Sequence, residues 1–297
     1  MSKQQKLHIR RSLGAFLRLV RLPNLLIILL AQFLIRIFVI GPKEKWAAIV
    51  TDPAFLLLCL ATLMIAGAGY IINDYYDIKI DIVNNPKRVM IGKVFTRRVA
   101  LFAHFIINIV AVGISFLLAI KMHDWKIFIT VFISGFLMWY YSNSLKRLAL
   151  WGNITISLLT GISIYYISFL SSNNVKTVII YAVFAFMISL IREIIKDMED
   201  MKGDELYGCK TLPIVWGVKN TKNFILGISI IFISIMGFLF VERLNNVLML
   251  YFGLALFPVF VFLLIKLYKA ETEKDYHNLS SLSKGIMLAG LASILLM

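Results

Sequence analysis

Long apolar runs separated by short polar segments make up most of this chain. A membrane-spanning helix needs about 17–25 mostly apolar residues, and nine runs come close to that template. The pattern predicts an all-α polytopic membrane protein with nine transmembrane helices, forming a single domain over residues 1–297. The predicted spans are Phe16–Ile40, Ala54–Ile72, Val99–Ile120, Trp125–Tyr141, Ile154–Leu170, Val175–Ile191, Phe224–Val241, Val247–Leu267 and Leu282–Met297.

The distribution of basic residues predicts how these spans are oriented. With nine spans, the N-terminus and every second connection lie on the same side of the membrane. When Lys and Arg near the end of a span are counted with the adjoining loop, 24 of the 31 fall on that side and six on the other, and Arg36 is left within the first span. Because Lys and Arg concentrate in cytoplasmic loops, we expect an integral membrane protein of the cell's inner or plasma membrane, with its N-terminus in the cytoplasm.

Composition supports a membrane protein and disfavours a nucleic-acid-binding protein. The chain is 60% hydrophobic and 16% charged, with a formal net charge of +15. The positive charge is spread over loops beside the predicted spans, where attraction to anionic lipid headgroups explains it. We therefore expect membrane lipids, and no nucleic acid, among its partners.

Acidic residues, in contrast, are concentrated in two short segments. Residues 73–81 and 193–205 hold nine of the 16 Asp and Glu residues, each at the predicted cytoplasmic end of an apolar run. On an α-helix, positions three, four or seven apart share a face. In the first segment one helix face would carry Asp74, Asp77 and Asp81. In the second segment one helix face would carry Glu193, Asp197, Asp200 and Asp204.

Stacked carboxylates beside a membrane repel one another unless a cation lies among them. Oxygen ligands without clustered His or Cys favour Mg²⁺ or Mn²⁺. Because Mg²⁺ is usually held by one or two carboxylates plus substrate phosphates, a diphosphate substrate is the expected partner. The cations expected to bind it are Arg88, Lys146, Arg147 and Lys202, among which Arg88 and Lys146 are the strongest candidates.

These motifs resemble those of the UbiA superfamily of intramembrane prenyltransferases. Asn73-Asp74-x-x-Asp77-x-x-x-Asp81 reads as the first family motif, and Asp200-x-x-x-Asp204 as the second. Arg21-Leu22-Pro23-Asn24 in the first helix is also similar to the family. The resemblance covers nearly the whole chain, and it implies nine helices around a central cavity that is open to lipid.

The resemblance also implies a reaction and roles for individual residues. The reaction is Mg²⁺-dependent transfer of a polyprenyl group from its diphosphate to a hydrophobic acceptor, at a site facing the cytoplasm. Metal binding is implied for Asn73, Asp74, Asp77, Asp81, Asp200 and Asp204, and catalytic roles for Asp77, Asp81, Asp200, Asp204 and Lys146. Residues that would contact the acceptor or support the site are Asn24, Tyr141, Arg192, Glu193, Lys196 and Asp197.

The second motif and the residues before it look most like the branch that makes digeranylgeranylglyceryl phosphate. The donor would then carry a geranylgeranyl group, and the acceptor would be geranylgeranylglyceryl phosphate. An aromatic acceptor, as in quinone or related biosynthesis, is an alternative within the family. A divalent-cation transporter is an alternative from another class, but it would place ionisable residues near the bilayer midplane, whereas both acidic segments lie at one end of their spans.

Overall fold

The computed structural model describes residues 13–41, 46–171, 173–243 and 246–297, and the secondary structure of these residues is helical. Residues 13–19 form a short helix that ends in a turn at residues 20 and 21. The helices that follow are α1 Leu22–Leu34, α2 Trp46–Val50, α3 Pro53–Asn84, α4 Arg97–Met122, α5 Trp125–Asn143, α6 Trp151–Tyr165, α7 Val175–Leu206, α8 Leu212–Arg243, α9 Asn246–Tyr251, α10 Phe257–Lys269 and α11 Glu273–Ala292. A π-helical turn extends α1 through Ile35–Ile40, and a second one, Phe252–Leu256, joins α9 to α10.

The helices divide into two compact units, the first formed by residues 1–30 and 53–144. In this unit α3 packs against both α4 and α5. The ends of α4 follow from its sequence: Thr96 caps the first turn by accepting a hydrogen bond from the Val99 N–H, and His123 ends the helix in a left-handed conformation. The His104 ring donates from Nδ1 to the Ala68 carbonyl at 3.0 Å, which ties α4 to α3.

The second unit is formed by residues 31–52 and 145–297. Its central helix is α7, which packs against α6, α8 and α11. Ile188, Ile191, Ile194 and Ile195 of α7 are buried in the apolar core of this unit. Each unit thus has a 32-residue helix, α3 or α7, that contacts at least two neighbours and carries one of the acidic segments.

The predicted number of nine spans is not confirmed. In the described part of the chain, eight helices are long and apolar enough to cross a membrane. The fourth predicted span, Trp125–Tyr141, does form helix α5, but this helix is not among the eight. Its 19 residues begin with Trp125-Lys126 and end with Tyr140-Tyr141-Ser142-Asn143, and these polar ends lower its overall apolarity.

Several predicted boundaries also differ from the observed helices. The predicted first span is interrupted by the turn before α1, where Arg21 has a positive φ of 53°. Helices α3 and α7 continue well past Ile72 and Ile191, the predicted ends of their spans. Similarly, α8 begins at Leu212 instead of Phe224, with non-helical backbone at Gly217, and α11 begins at Glu273 instead of Leu282. In all four cases polar residues continue the helix, so apolarity alone places its end in the wrong position.

Candidate functional site

The first carboxylate ladder, which we define as Asp74, Asp77 and Asp81, lies on the last part of α3. Because α3 runs unbroken to Asn84, the three carboxylates share one face, as their spacing predicts. Asp77 is only 4% exposed, and its Oδ2 accepts a hydrogen bond of 2.8 Å from Asn73 Nδ2. The structure therefore brings Asn73 and Asp77 into direct contact.

Asp74 is paired with Arg21, a residue to which the sequence analysis assigned no individual role. The Arg21 guanidinium donates from Nη2 to Asp74 Oδ1 at 2.9 Å and lies 4.7 Å from the centroid of the Tyr70 ring. Burial lowers the pKa of Arg21, but the nearby Asp74, Tyr70 and Asp81 more than offset this effect and raise its pKa above the ordinary value. The available signal was the Arg21-Leu22-Pro23-Asn24 resemblance, in which only Asn24 was singled out.

The loop after the first ladder holds Arg88, whose side chain is exposed. The loop closes in a tight turn in which the Gly92 N–H donates to the Phe95 carbonyl at 2.7 Å, and Gly92 has a positive φ of 91°. Ile91 packs into a small apolar cluster with Ile71 of α3. These contacts fix the backbone beside Arg88 to the helix that carries the ladder.

The second carboxylate ladder, which we define as Glu193, Asp197, Asp200 and Asp204, lies on the last part of α7. Two of its members pair with cations on the same helix: Glu193 with Arg192, and Asp200 with Lys196 at 3.1 Å. Asp204 is buried, and its backbone carbonyl accepts a hydrogen bond from the Cys209 N–H at 2.9 Å, which closes the end of α7.

Asp197 is held from a different helix. Asn153, in the first turn of α6, donates from Nδ2 to Asp197 Oδ2 at 2.8 Å. Asn153 is buried and was not among the residues predicted from the sequence. Its neighbours in Trp151-Gly152-Asn153-Ile154 are apolar or small. The only signal in the sequence was therefore a polar residue directly before the predicted span Ile154–Leu170.

Lys146 and Arg147 lie in a short 3-10 turn before α6. The Lys210 N–H donates to the Arg147 carbonyl at 2.9 Å, so this turn is attached to the segment that directly follows α7. Gly208 makes the required bend in that segment with a positive φ of 70°. The structure therefore places the backbone of Lys146 and Arg147 beside the segment that follows the second ladder.

Lys202 is not brought to the carboxylate face. It follows Asp200 by two positions, which is a rotation of about 200° around an α-helix. Instead, its side chain lines a separate cavity together with Glu199, Lys219 and Lys222. Of the remaining predicted residues, Asn24 lies in the first turn of α1 and Tyr141 near the end of α5, both half-buried in the first unit.

The residues of the two ladders fit Mg²⁺ in their chemistry. All seven ladder side chains are carboxylates, and the neighbouring Asn73 adds an amide oxygen, so the donors are the oxygens that a hard cation prefers. Within the residues that the structure describes, no three His, Cys, Asp or Glu side chains form a ready-made metal cluster. This arrangement is compatible with Mg²⁺ because that ion usually takes one or two protein carboxylates and fills its shell with water and substrate phosphate.

Comparison with known proteins identifies relatives over nearly the whole chain. Residues 43–282 match the UbiA prenyltransferase family. A protein named digeranylgeranylglyceryl phosphate synthase from Korarchaeum cryptofilum is 30% identical over 96% of this chain and 97% of its own length. A second protein of that name, from Methanothermobacter thermautotrophicus, is 37% identical over 57% of this chain and 58% of its own.

Solved structures have the same fold. A structure of digeranylgeranylglyceryl phosphate synthase in membranes has a TM-score of 0.69 at 23% identity, and the match covers 96% of this chain and 98% of that one. A UbiA homologue from Archaeoglobus fulgidus bound to GPP and Mg²⁺ has a TM-score of 0.63 at 14% identity, covering 94% of this chain and 99% of that one. At these identities the structural match establishes the shared fold.

Proposed function

Because the chain belongs to the UbiA prenyltransferase family, we propose that it transfers a geranylgeranyl group from geranylgeranyl diphosphate to geranylgeranylglyceryl phosphate. The product would be an ether lipid carrying two geranylgeranyl chains, and the reaction would require Mg²⁺. The names of the relatives support the glycerophosphate acceptor, and the UbiA homologue that binds GPP and Mg²⁺ supports a prenyl diphosphate and a metal.

The observation that carries this proposal is the pair of carboxylate ladders on α3 and α7. A protein that only spanned the membrane would have no use for seven stacked acidic side chains on two long helices. The helices concentrate negative charge where apolar segments end, and Arg21, Arg192 and Lys196 pair with three of the seven carboxylates. A metal cation would offset the repulsion among the rest. A diphosphate carried with that cation brings its own negative charge to the same place, which explains the basic residues around the ladders.

When bound, Mg²⁺ would stabilise the negative charge that develops on the departing diphosphate. We propose that the metal-binding residues are Asn73, Asp77 and Asp81 on α3, and Asp200 and Asp204 on α7. Lys146 and Arg147 would neutralise diphosphate oxygens, because their turn is attached to the segment that follows the second ladder. Asp74 is paired with Arg21 and would bind the metal only if this ion pair opened.

The bond changes are those of an ether-forming substitution. The bond between C1 of the prenyl group and the diphosphate oxygen breaks, and the diphosphate keeps the electron pair. The acceptor hydroxyl oxygen forms the new bond to C1, and its proton passes to the released diphosphate or to water. Apolar walls would exclude water from the allylic carbon, because water competes with the acceptor for the same carbon.

The basic residues support a cytoplasmic site. Lys196 and Lys202 lie on the helix that carries the second ladder, and the turn with Lys146 and Arg147 is attached to the segment after it. Lys79, Lys87 and Arg88 lie within or after the first acidic segment. Because Lys and Arg concentrate on the cytoplasmic side of membrane proteins, we propose that both ladders face the cytoplasm. The donor and acceptor headgroups would then reach the site from the inner leaflet.

The test is product formation by purified protein in detergent or liposomes. Labelled geranylgeranyl diphosphate and Mg²⁺ are supplied with either geranylgeranylglyceryl phosphate or an aromatic acceptor such as hydroxybenzoate. The proposal predicts a labelled ether lipid and released diphosphate with the glycerophosphate acceptor only. Product with the aromatic acceptor alone would show that the acceptor is aromatic, while prenyl transfer itself would stand. Passage of divalent ions across liposomes without any product would contradict prenyl transfer.

A further inference from the structure

The contact between Asn153 and Asp197 differs from the other contacts of the second ladder. Glu193 and Asp200 are paired with cations of their own helix. Asp197 instead accepts a hydrogen bond of 2.8 Å from a neutral amide on α6, that of Asn153, which lies 44 positions away in the sequence. An amide fixes the orientation of a carboxyl group without adding a counter-charge to it.

The cost of burying Asn153 argues for a specific role at this position. The residue is only 6% exposed, and a buried amide that lacks its hydrogen bond is destabilising by about 1–3 kcal/mol. An apolar side chain would fill the same place between α6 and α7 without that risk.

The hydrogen bond uses only one of the two carboxylate oxygens. Asn153 donates to Oδ2, and among the described residues no donor reaches Oδ1. A carboxylate that is held by one oxygen presents the other in a fixed direction. Such an oxygen is a suitable acceptor for a hydrogen bond from a hydroxyl group of a ligand.

We propose that Asn153 is a positioning residue that orients Asp197, so that Asp197 Oδ1 accepts a hydrogen bond from the hydroxyl group of the prenyl acceptor. The inference rests on the proposed function and deepens it by assigning acceptor recognition to this pair. A hydroxyl held in this way directs an oxygen lone pair at C1 of the donor, and correct orientation is a large part of catalysis in such substitutions.

Loss of the Asn153 amide should affect acceptor binding and donor binding differently. Removing the amide leaves Asp197 in place but free to turn, so the acceptor should bind less well. Donor and metal bind through other residues and should be little affected. A general loss of packing at α6 would instead lower stability and weaken both substrates together.

The experiment compares Asn153→Ala with Ser157→Ala in the full-length protein. Ser157 is a matched control because it is buried one turn further along α6, and its hydroxyl donates to the Asn153 backbone carbonyl at 2.6 Å instead of to a carboxylate. The KM values for geranylgeranylglyceryl phosphate and for geranylgeranyl diphosphate are measured separately. Binding of the glycerophosphate is also measured by calorimetry in EDTA without donor, so that one measurement is independent of turnover.

For Asn153→Ala we expect an increase of about tenfold in acceptor KM and in acceptor Kd. The donor KM and the unfolding temperature should stay close to those of Ser157→Ala. In a double-mutant cycle, Asn153→Ala should have almost no further effect on acceptor binding in an Asp197→Ala background, because Asn153 acts through Asp197.

Two results would overturn the inference while leaving the proposed function intact. One is an unchanged acceptor Kd in Asn153→Ala. The other is an equal loss of acceptor affinity on Asn153→Ala substitution in the presence and in the absence of the Asp197 carboxylate. If the wild-type protein neither binds nor prenylates geranylgeranylglyceryl phosphate, the proposed function fails, and the inference fails with it.

Discussion

Arg21 is predicted to be the counter-ion that allows Asp74 to be buried beside the first ladder. The side chains of Arg21 and Asp74 are 20% and 9% exposed and joined at 2.9 Å. Replacing Arg21 by Met keeps much of the aliphatic length but removes the charge, the hydrogen bond and the contact with the Tyr70 ring. Asp74 would then be a buried carboxylate without its cation.

The magnitude follows from the burial of the pair. Removing one partner of a fully buried ion pair costs about 3–5 kcal/mol, whereas an exposed pair contributes about 0–1 kcal/mol. The Arg21 and Asp74 pair is closer to the buried limit, so we expect a loss of about 2–4 kcal/mol in the free energy of unfolding. At about 2 °C per kcal/mol for a chain of this size, the unfolding temperature should fall by about 4–8 °C.

The assay is thermal unfolding of purified protein in detergent, with Arg18→Met as the matched control. Arg18 lies three positions earlier and its side chain is exposed, so its replacement should shift the unfolding temperature by less than about 1 °C. Adding Asp74→Asn to Arg21→Met should recover part of the loss, because the unpaired charge is then removed. Equal shifts in the two single variants, or no recovery in the double variant, would refute the reasoning.

Three further predictions concern the diphosphate, helix packing and the metal. Lys146→Met should raise the KM for the prenyl diphosphate at least tenfold, because the Lys146 turn is attached to the segment that follows the second ladder. Lys202→Met should change this KM less than about twofold, because Lys202 lies on the opposite face of α7 and lines another cavity. Similar effects of the two substitutions in steady-state kinetics would contradict this assignment. Gly161→Ala should be destabilising by about 1–3 kcal/mol, since the new Cβ would meet the Ala182 carbonyl oxygen at 3.0 Å. A Cβ at Gly113 has open space, so Gly113→Ala should be neutral or stabilising in the same thermal assay. Addition of EDTA should abolish turnover reversibly, with activity restored by Mg²⁺; turnover that persists in EDTA would exclude a metal-dependent reaction.

Much of the helical architecture could be predicted from the sequence, because a membrane-spanning helix has a strong signature in length and apolarity. The faces of the ladders were also predictable, because positions three, four and seven apart share a face wherever the helix continues. Apolarity could not locate the helix ends. Polar residues such as those that end α3 and α7 continue a helix as readily as apolar ones, so each helix extends through its acidic segment.

The partners of the ladder residues could not be predicted in the same way. Arg21 lies 53 positions from Asp74, and Asn153 lies 44 positions from Asp197. Such contacts depend on how helices pack, and a single sequence contains no measure of that packing. Lys202 is a different case, because the helix period that groups the ladder residues also places it on the opposite face of α7. Its assignment to the diphosphate could therefore have been doubted from the sequence, and its side chain lines another cavity.

The most direct test of the account measures the magnesium dependence of prenyl transfer in Asp77→Asn and Asp204→Asn beside the wild-type protein. These residues are buried members of the first and second ladders. The account predicts that the wild type forms digeranylgeranylglyceryl phosphate only with Mg²⁺ and that each substitution lowers the rate at least a hundredfold at every Mg²⁺ concentration. Near-normal rates in either variant, or a wild-type rate that is independent of Mg²⁺, would contradict the claim that both ladders serve one metal-dependent reaction.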